Sequence, residues 1–156
     1  MAELFPAGYE DEIVTEEDIV DEKETGYKEG VYFDPETQDF VRDGQHRVKS
    51  ATGIESWEQW CTNCIRTERG AYPCYGDVFG IVTEEAFKAE TKDLAQSILT
   101  REITEGLAND PYGRTKYVSD IEFTWEDADA LSVHVTVVGI DNTTLDITAV
   151  IDIRAR

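Results

Sequence analysis

In the last third of the chain apolar and polar residues alternate with a period of two, and no other feature restricts the possible folds as much. Ile121, Phe123 and Trp125 form one apolar set, Leu131, Val133, Val135 and Val137 a second, and Leu145, Ile147, Ala149, Ile151 and Ile153 a third. Successive side chains of a strand point to opposite faces, so each set predicts a strand with one apolar face. Glu126-Asp127-Ala128-Asp129 and Asp141-Asn142 supply the turns, which predicts an antiparallel meander. One face of that sheet has to be covered, and helices from the preceding residues are the cover.

Two helices are legible there. Thr52 and Glu55 have the spacing of a capping box, in which the Thr hydroxyl and the Glu carboxylate satisfy free amides of the first turn. Ile54, Trp57, Cys61, Cys64 and Ile65 then recur at three- and four-residue steps, with Trp60 at the edge of the stripe and Glu55, Glu58, Gln59 and Arg66 turned away. Gly70 and Pro73 are the expected stop signals. The segment Tyr72-Pro73-Cys74-Tyr75-Gly76-Asp77-Val78-Phe79-Gly80 reads as a tight, shaped loop whose rings cover an apolar surface. Thr83, followed by Glu84 and Glu85, predicts the start of the second helix. Phe87, Leu94, Ile98, Ile103 and Leu107 mark its buried side, with a break or bend near Thr91 and an end at Asn109-Asp110-Pro111.

Upstream, Val31 to Asp34 and Asp39 to Arg42 read as a hairpin turned at Asp34-Pro35, and Gly44 to Ser50 as a polar connector. The expected class is therefore α+β: two main helices packed on an antiparallel sheet of three C-terminal strands, plus a small N-terminal hairpin and an extended acidic arm. The last strand leaves a free edge able to accept a partner strand.

At 156 residues the chain suits one domain, 31–156, preceded by an arm at 1–30 that holds eleven Asp or Glu against two Lys. Such a segment is either a solvated tail or an arm that orders on a neighbouring subunit through its spaced apolar residues. A net charge of -20 opposes binding to nucleic acid, which needs clustered cations, and disfavours anionic membranes equally. No apolar run is long enough to cross a bilayer, and the amino terminus has no signal-peptide pattern, so the protein is expected to be soluble where it is made. Three cysteines are too few and odd in number for a secreted disulfide framework, which points to a reduced compartment.

Cys61 and Cys64 form a CxxC with Cys74 ten residues on, so a small metal- or thiol-binding module is the competing reading. A structural zinc site needs four ligands, whereas His46 lies in a polar connector, His134 on an outward strand face, and both CxxC cysteines on the apolar stripe, where a thiol packs as a small hydrophobe. Neither histidine is poised beside a nucleophile, and the abundant carboxylates suit a solvated surface. No catalytic, cofactor or metal residue is therefore expected. Glu68 and Arg69 stand apart, at a helix end beside the aromatic loop, with Arg66 one turn earlier. They either tie the loop to the helix or present the same groups to another subunit.

Thr67-Glu68-Arg69 followed by Tyr72-Pro73-Cys74-Tyr75-Gly76 and Phe79-Gly80 resembles the TER, YPIYS and YG signature of a family of baseplate proteins from contractile tails. These are the short, lysozyme-like baseplate-wedge proteins of T-even-type phages and their relatives in Bacillus prophages, bacteriocins and type VI secretion baseplates. The resemblance runs from about Phe40 to Ile153 and departs at Cys74 and Gly76, where relatives favour an aliphatic residue and Ser. It implies a structural virion protein of the tail baseplate, assembled in the host cytoplasm in six copies, that contacts other wedge proteins, the tail tube or hub, and the sheath, and that initiates the sheath by sharing a strand. On this reading Arg66, Glu68, Arg69, Tyr72, Tyr75, Phe79, Leu145, Ile147, Ile151 and Ile153 form the partner contacts, and a baseplate protein of a non-contractile tail is the nearest alternative.

Overall fold

The computed structural model describes residues 26–126 and 130–152. The calculated alternation is realised as three strands, β5 (Thr115–Trp125), β6 (Ala130–Gly139) and β7 (Thr144–Asp152), in the antiparallel order β5-β6-β7. Phe123 lies opposite Val133, and Val133 opposite Ala149, so the apolar residues of all three strands fall on one face. Among the described residues four shorter strands precede them: β1 (Gly30–Val31), β2 (Phe33–Asp34), β3 (Asp39–Phe40) and β4 (Ser50–Ala51).

Two long helices cover the apolar face. Helix α1 (Gly53–Arg66) lies over β7, and α3 (Lys92–Ala108) lies over β5 and against α1. Trp57, Cys61, Cys64 and Ile65 of α1 and Leu99, Ile103 and Leu107 of α3 are buried against Leu131, Val133, Val135 and Val137 of β6. Both arms of the capping box form: the Glu55 amide donates to Thr52 Oγ1 at 3.2 Å, and the Thr52 amide donates to Glu55 Oε2 at 2.8 Å.

The second predicted helix is two helices. The short α2 (Glu84–Phe87) ends at Lys88, and Thr91 starts α3 by accepting from the Leu94 amide at 3.2 Å. The break resets the helical phase. The inward stripe of α3 is Ala95, Leu99, Glu102, Ile103, Gly106 and Leu107, and Leu94, expected inside, is half exposed. Thr83 does not cap α2 through its side chain, because its hydroxyl donates to Glu68. Helix α1 stops at Arg66, before Gly70, since Thr67 is already extended; Gly70 takes the left-handed φ of 79° four residues later.

The expected hairpin forms as β2 paired with β3. Gly44 to Ser50 is more than a connector. Arg42 bridges Val48, and β4 pairs with β1, so the segments around 30–34, 39–42 and 48–51 close on one another. Gln59 of α1 seals one margin of this unit, accepting from the Phe33 amide at 2.7 Å and donating to the Val31 carbonyl at 3.3 Å. The expectations for residues 1–25, for the turn at 127–129 and for Ile153 lie outside the described residues. Among the described residues no helix is long and apolar enough to cross a membrane.

Candidate functional site

Two surfaces follow from the way α1 ends and the sheet stops. At the end of α1 the chain leaves the helix, runs through Glu68 and Arg69, loops out through 70–79 and returns beside itself. Glu68 bridges Ile81 in parallel, the Arg69 amide donates to the Ile81 carbonyl at 2.9 Å, and the Ile81 amide donates to the Thr67 carbonyl at 3.0 Å. Side chains lock the same junction. Glu68 accepts from the Thr83 hydroxyl at 2.7 Å, and Arg69 donates through Nε and Nη2 to the Gly80 carbonyl at 3.3 and 3.2 Å. Arg69 also faces Glu102 at 3.7 Å and Glu105 at 3.9 Å. Of the two roles the sequence left open for Glu68 and Arg69, tying the loop to the helix is the one these contacts carry out.

Gly80 makes the close return possible. Its φ is 96°, and a Cβ there would fall 2.6 Å from the Thr67 carbonyl oxygen. The loop held in this way carries a ladder of rings leading outward from the core: Trp60 to Phe79 at 5.8 Å, Phe79 to Tyr75 at 4.6 Å, and Tyr75 to Tyr72 at 5.9 Å between centroids. Phe79 is half-buried, whereas Tyr72 is 56% and Tyr75 46% exposed. Arg66 is exposed on the outer side of α1. Between the loop and α1 lies an apolar groove of about 390 Å³, walled by Trp60, Tyr75, Val78, Phe79 and Pro111.

The second surface is a margin of the sheet. Among the described residues, no strand pairs with β7 on the side away from β6. In an antiparallel ladder every second residue turns its N–H and C=O outward, so β7 presents unpaired backbone groups. The two margins differ. β5 has register shifts between Thr115 and Tyr117 and between Val118 and Asp120, so Lys116 and Ser119 are bulged. β7 stays in one register from Ala130–Asp152 to Val138–Thr144. A bulged margin resists strand addition, and a regular one accepts it.

Leu145, Ile147 and Ile151 need a correction as partner contacts. They are buried, facing into the core covered by α1, so their side chains are unavailable to a neighbour. What β7 offers is its backbone, together with the outward residues Asp146, Thr148 and Val150. Ile153 lies outside the described residues.

The thiols divide. Cys61 and Cys64 are buried in the core, where burial pushes both thiols up from their ordinary range, and Cys74 is exposed in the loop. Among the described residues no three His, Cys, Asp or Glu side chains gather where a metal ion could be held.

The sequence reading missed the ion pair that supports this region from below. Asp110 and Arg114 are 3% and 2% exposed, and the guanidinium donates through Nε and Nη2 to the two carboxylate oxygens at 2.8 Å each. Arg114 also lies under the rings of Trp60, at 5.8 Å, and Tyr112, at 5.1 Å. The spacing Asp-x-x-x-Arg after a helix end was the available signal.

A comparison with curated proteins gives no match. The family model described as the contractile injection system sheath initiator matches residues 31–142, which takes in β2 to β4, α1, α2 and α3, the aromatic loop, β5 and β6. The chain therefore belongs to the family of contractile injection system sheath initiators.

Proposed function

We propose that this protein starts the sheath of a contractile tail by lending the margin of β7 to an extended segment of the first sheath subunits. Family membership makes it a structural tail component associated with sheath and baseplate. The observation that supports strand addition is the contrast between the two sheet margins, one bulged twice and one in unbroken register. Backbone hydrogen bonds supply the pairing, and the outward residues of β7 set its specificity. The role is assembly, with no catalytic step.

The second contact surface is the aromatic loop, with Arg66, Tyr72 and Tyr75 outward and Phe79 behind them. Glu68 and Arg69 serve this surface by holding the loop in shape. Its partners are neighbouring wedge proteins and the tail tube or hub, in six copies around the axis. Sixfold repetition turns a weak strand pairing into a firm ring through avidity.

A density map of the assembled baseplate with its sheath tests this reading. An extended sheath segment hydrogen-bonded along β7 is expected; a β7 margin contacted by no other chain in the mature particle refutes it. Amide hydrogen exchange gives the same answer in solution: alternate β7 amides should exchange fast in the isolated chain and become protected on assembly.

A further inference from the structure

The small β unit that precedes α1 carries a surface that neither the sheet margin nor the aromatic loop uses. Val31 pairs with Ser50, Phe33 with Phe40, and Arg42 with Val48, and directly opposed residues of an antiparallel ladder point to the same side. With the two-residue period along each segment, Val31, Phe33, Phe40, Arg42, Val48 and Ser50 therefore share one face. All six are exposed, whereas Tyr32 and Val41 on the opposite face are half-buried and Ala51 is buried. The four apolar members are 38–53% exposed, and the rings of Phe33 and Phe40 meet edge to face at 5.4 Å. Apolar residues exposed singly are ordinary, but four on one side of so short a unit form a patch of the kind that marks contact with another molecule.

The face is ordered in advance. Gln59 fastens the unit to α1, and two aspartates fix its turns. Asp34 accepts from the Glu36 amide at 2.9 Å and the Thr37 hydroxyl at 3.0 Å, and Asp43 accepts from the Gln45 and Arg47 amides at 2.8 and 2.9 Å. A surface held in this way loses little entropy when it is covered.

Arg42 determines the chemistry of the occupant. Its guanidinium reaches the His46 carbonyl at 3.5 Å, and among the described residues no carboxylate pairs with it. A molecule that covers Phe33, Phe40 and Val48 also takes Arg42 out of water, which is costly unless a carboxylate arrives with it. An arginine among aromatic rings is in addition the make-up of an interface hot spot. A second copy fits poorly, since packing this face on itself brings arginine against arginine, and two chains of net charge -20 repel one another. The same charge opposes an anionic membrane.

We propose that this face docks a segment of a neighbouring tail protein in which an Asp or Glu lies among aliphatic or aromatic side chains. The carboxylate pairs with Arg42, and the apolar side chains cover Phe33, Phe40 and Val48. This third contact surface shares no residue with β7 or with the aromatic loop.

The experiment places photoreactive benzoylphenylalanine at Val48 and, in a separate variant, at Ser50, assembles each full chain into tails and irradiates them. Attachment to a different tail protein, close to an Asp or Glu, is expected from both positions. A synthetic peptide spanning the attached residue should then bind the unaltered chain about 10-fold more tightly than the Arg42→Ala chain, the loss expected for a hydrogen bond between charged groups. Replacing the peptide carboxylate by its amide should cost the same, and both changes together little more. Unchanged affinity in Arg42→Ala overturns the proposal, and so does attachment within the same chain or to a second copy. Sedimentation of the isolated chain with phosphatidylglycerol vesicles, lost in Phe33→Ser, assigns the face to a membrane and overturns it as well. Tails whose β7 amides are protected while neither position gives a product refute docking here and leave strand addition standing.

Discussion

Replacing Asp110 by Leu should be the most damaging single change near the loop, and the structure supplies both the size and the order of the effects. Asp110 accepts four hydrogen bonds: two from the Arg114 guanidinium at 2.8 Å, one from the Arg114 amide at 2.9 Å and one from the Tyr112 amide at 3.2 Å. Leucine leaves a guanidinium that is 2% exposed without its counter-charge and two amides without their acceptor. Breaking one side of a buried pair costs about 3–5 kcal/mol. Against a total stability of about 5–15 kcal/mol, that is about a fifth at the least. Arg114→Met should cost less, because the carboxylate left behind keeps both amide donors. The double variant Asp110→Leu/Arg114→Met should also be more stable than Asp110→Leu alone, since it buries no unpaired charge. Guanidinium unfolding followed by tryptophan fluorescence measures all three, provided the denaturant slope is unchanged. A loss below about 1 kcal/mol for Asp110→Leu, or a double variant that costs the sum of the singles, refutes the reasoning.

Three further outcomes are expected. Gly80→Ala should destabilise by about 2–4 kcal/mol in the same unfolding assay, because it joins a left-handed φ of 96° to a Cβ placed 2.6 Å from the Thr67 carbonyl. A thiol reagent should find one reactive cysteine, Cys74, in the native chain and three after unfolding, as Cys61 and Cys64 are fully buried. At the extremes of pH the Tyr27–Asp141 contact should fail in two separate windows. Burial first, and the hydrogen bond to Asp141 second, raise Tyr27 to about 12, so its contribution is intact below the unfolded value of about 10 and lost as pH rises to about 12. The Thr143 hydroxyl first, and Tyr27 second, hold Asp141 down to about 2, so its contribution is intact above about 4 and lost as pH falls toward 2. Tyr27→Phe should abolish the alkaline window, read as phenolate absorbance against unfolding, and shrink the acid one.

What could be read from the chain was what neighbouring residues decide among themselves. The capping box at Thr52 and Glu55 spans four residues and forms as expected. The period-two alternation assigned each strand its inward face correctly, because the pleat fixes side-chain direction wherever the strand goes. Leu145, Ile147 and Ile151 were expected as partner contacts, and their side chains face the core, so what β7 can offer a neighbour there is backbone. The reactive part of an edge strand is its backbone, and the backbone has no residue signature. The interruption was expected near Thr91 as a break or bend, but one helical phase was carried across it, which put Leu94 inside.

The amino-acid sequence by itself determined the class of fold, the positions of the principal elements, the apolar faces and the family signature from Thr67 to Gly80, all of which depend on contacts a few residues long. Only the tertiary structure decided that Glu68 and Arg69 are spent on closing the loop, that Asp110 and Arg114 are buried together beneath Trp60, and that β5 is the bulged margin while β7 is the regular one. Those outcomes depend on groups far apart in the chain meeting after the helices settle on the sheet. The physical reason is that burial and strand register are properties of the packed whole, and no local window of residues carries them.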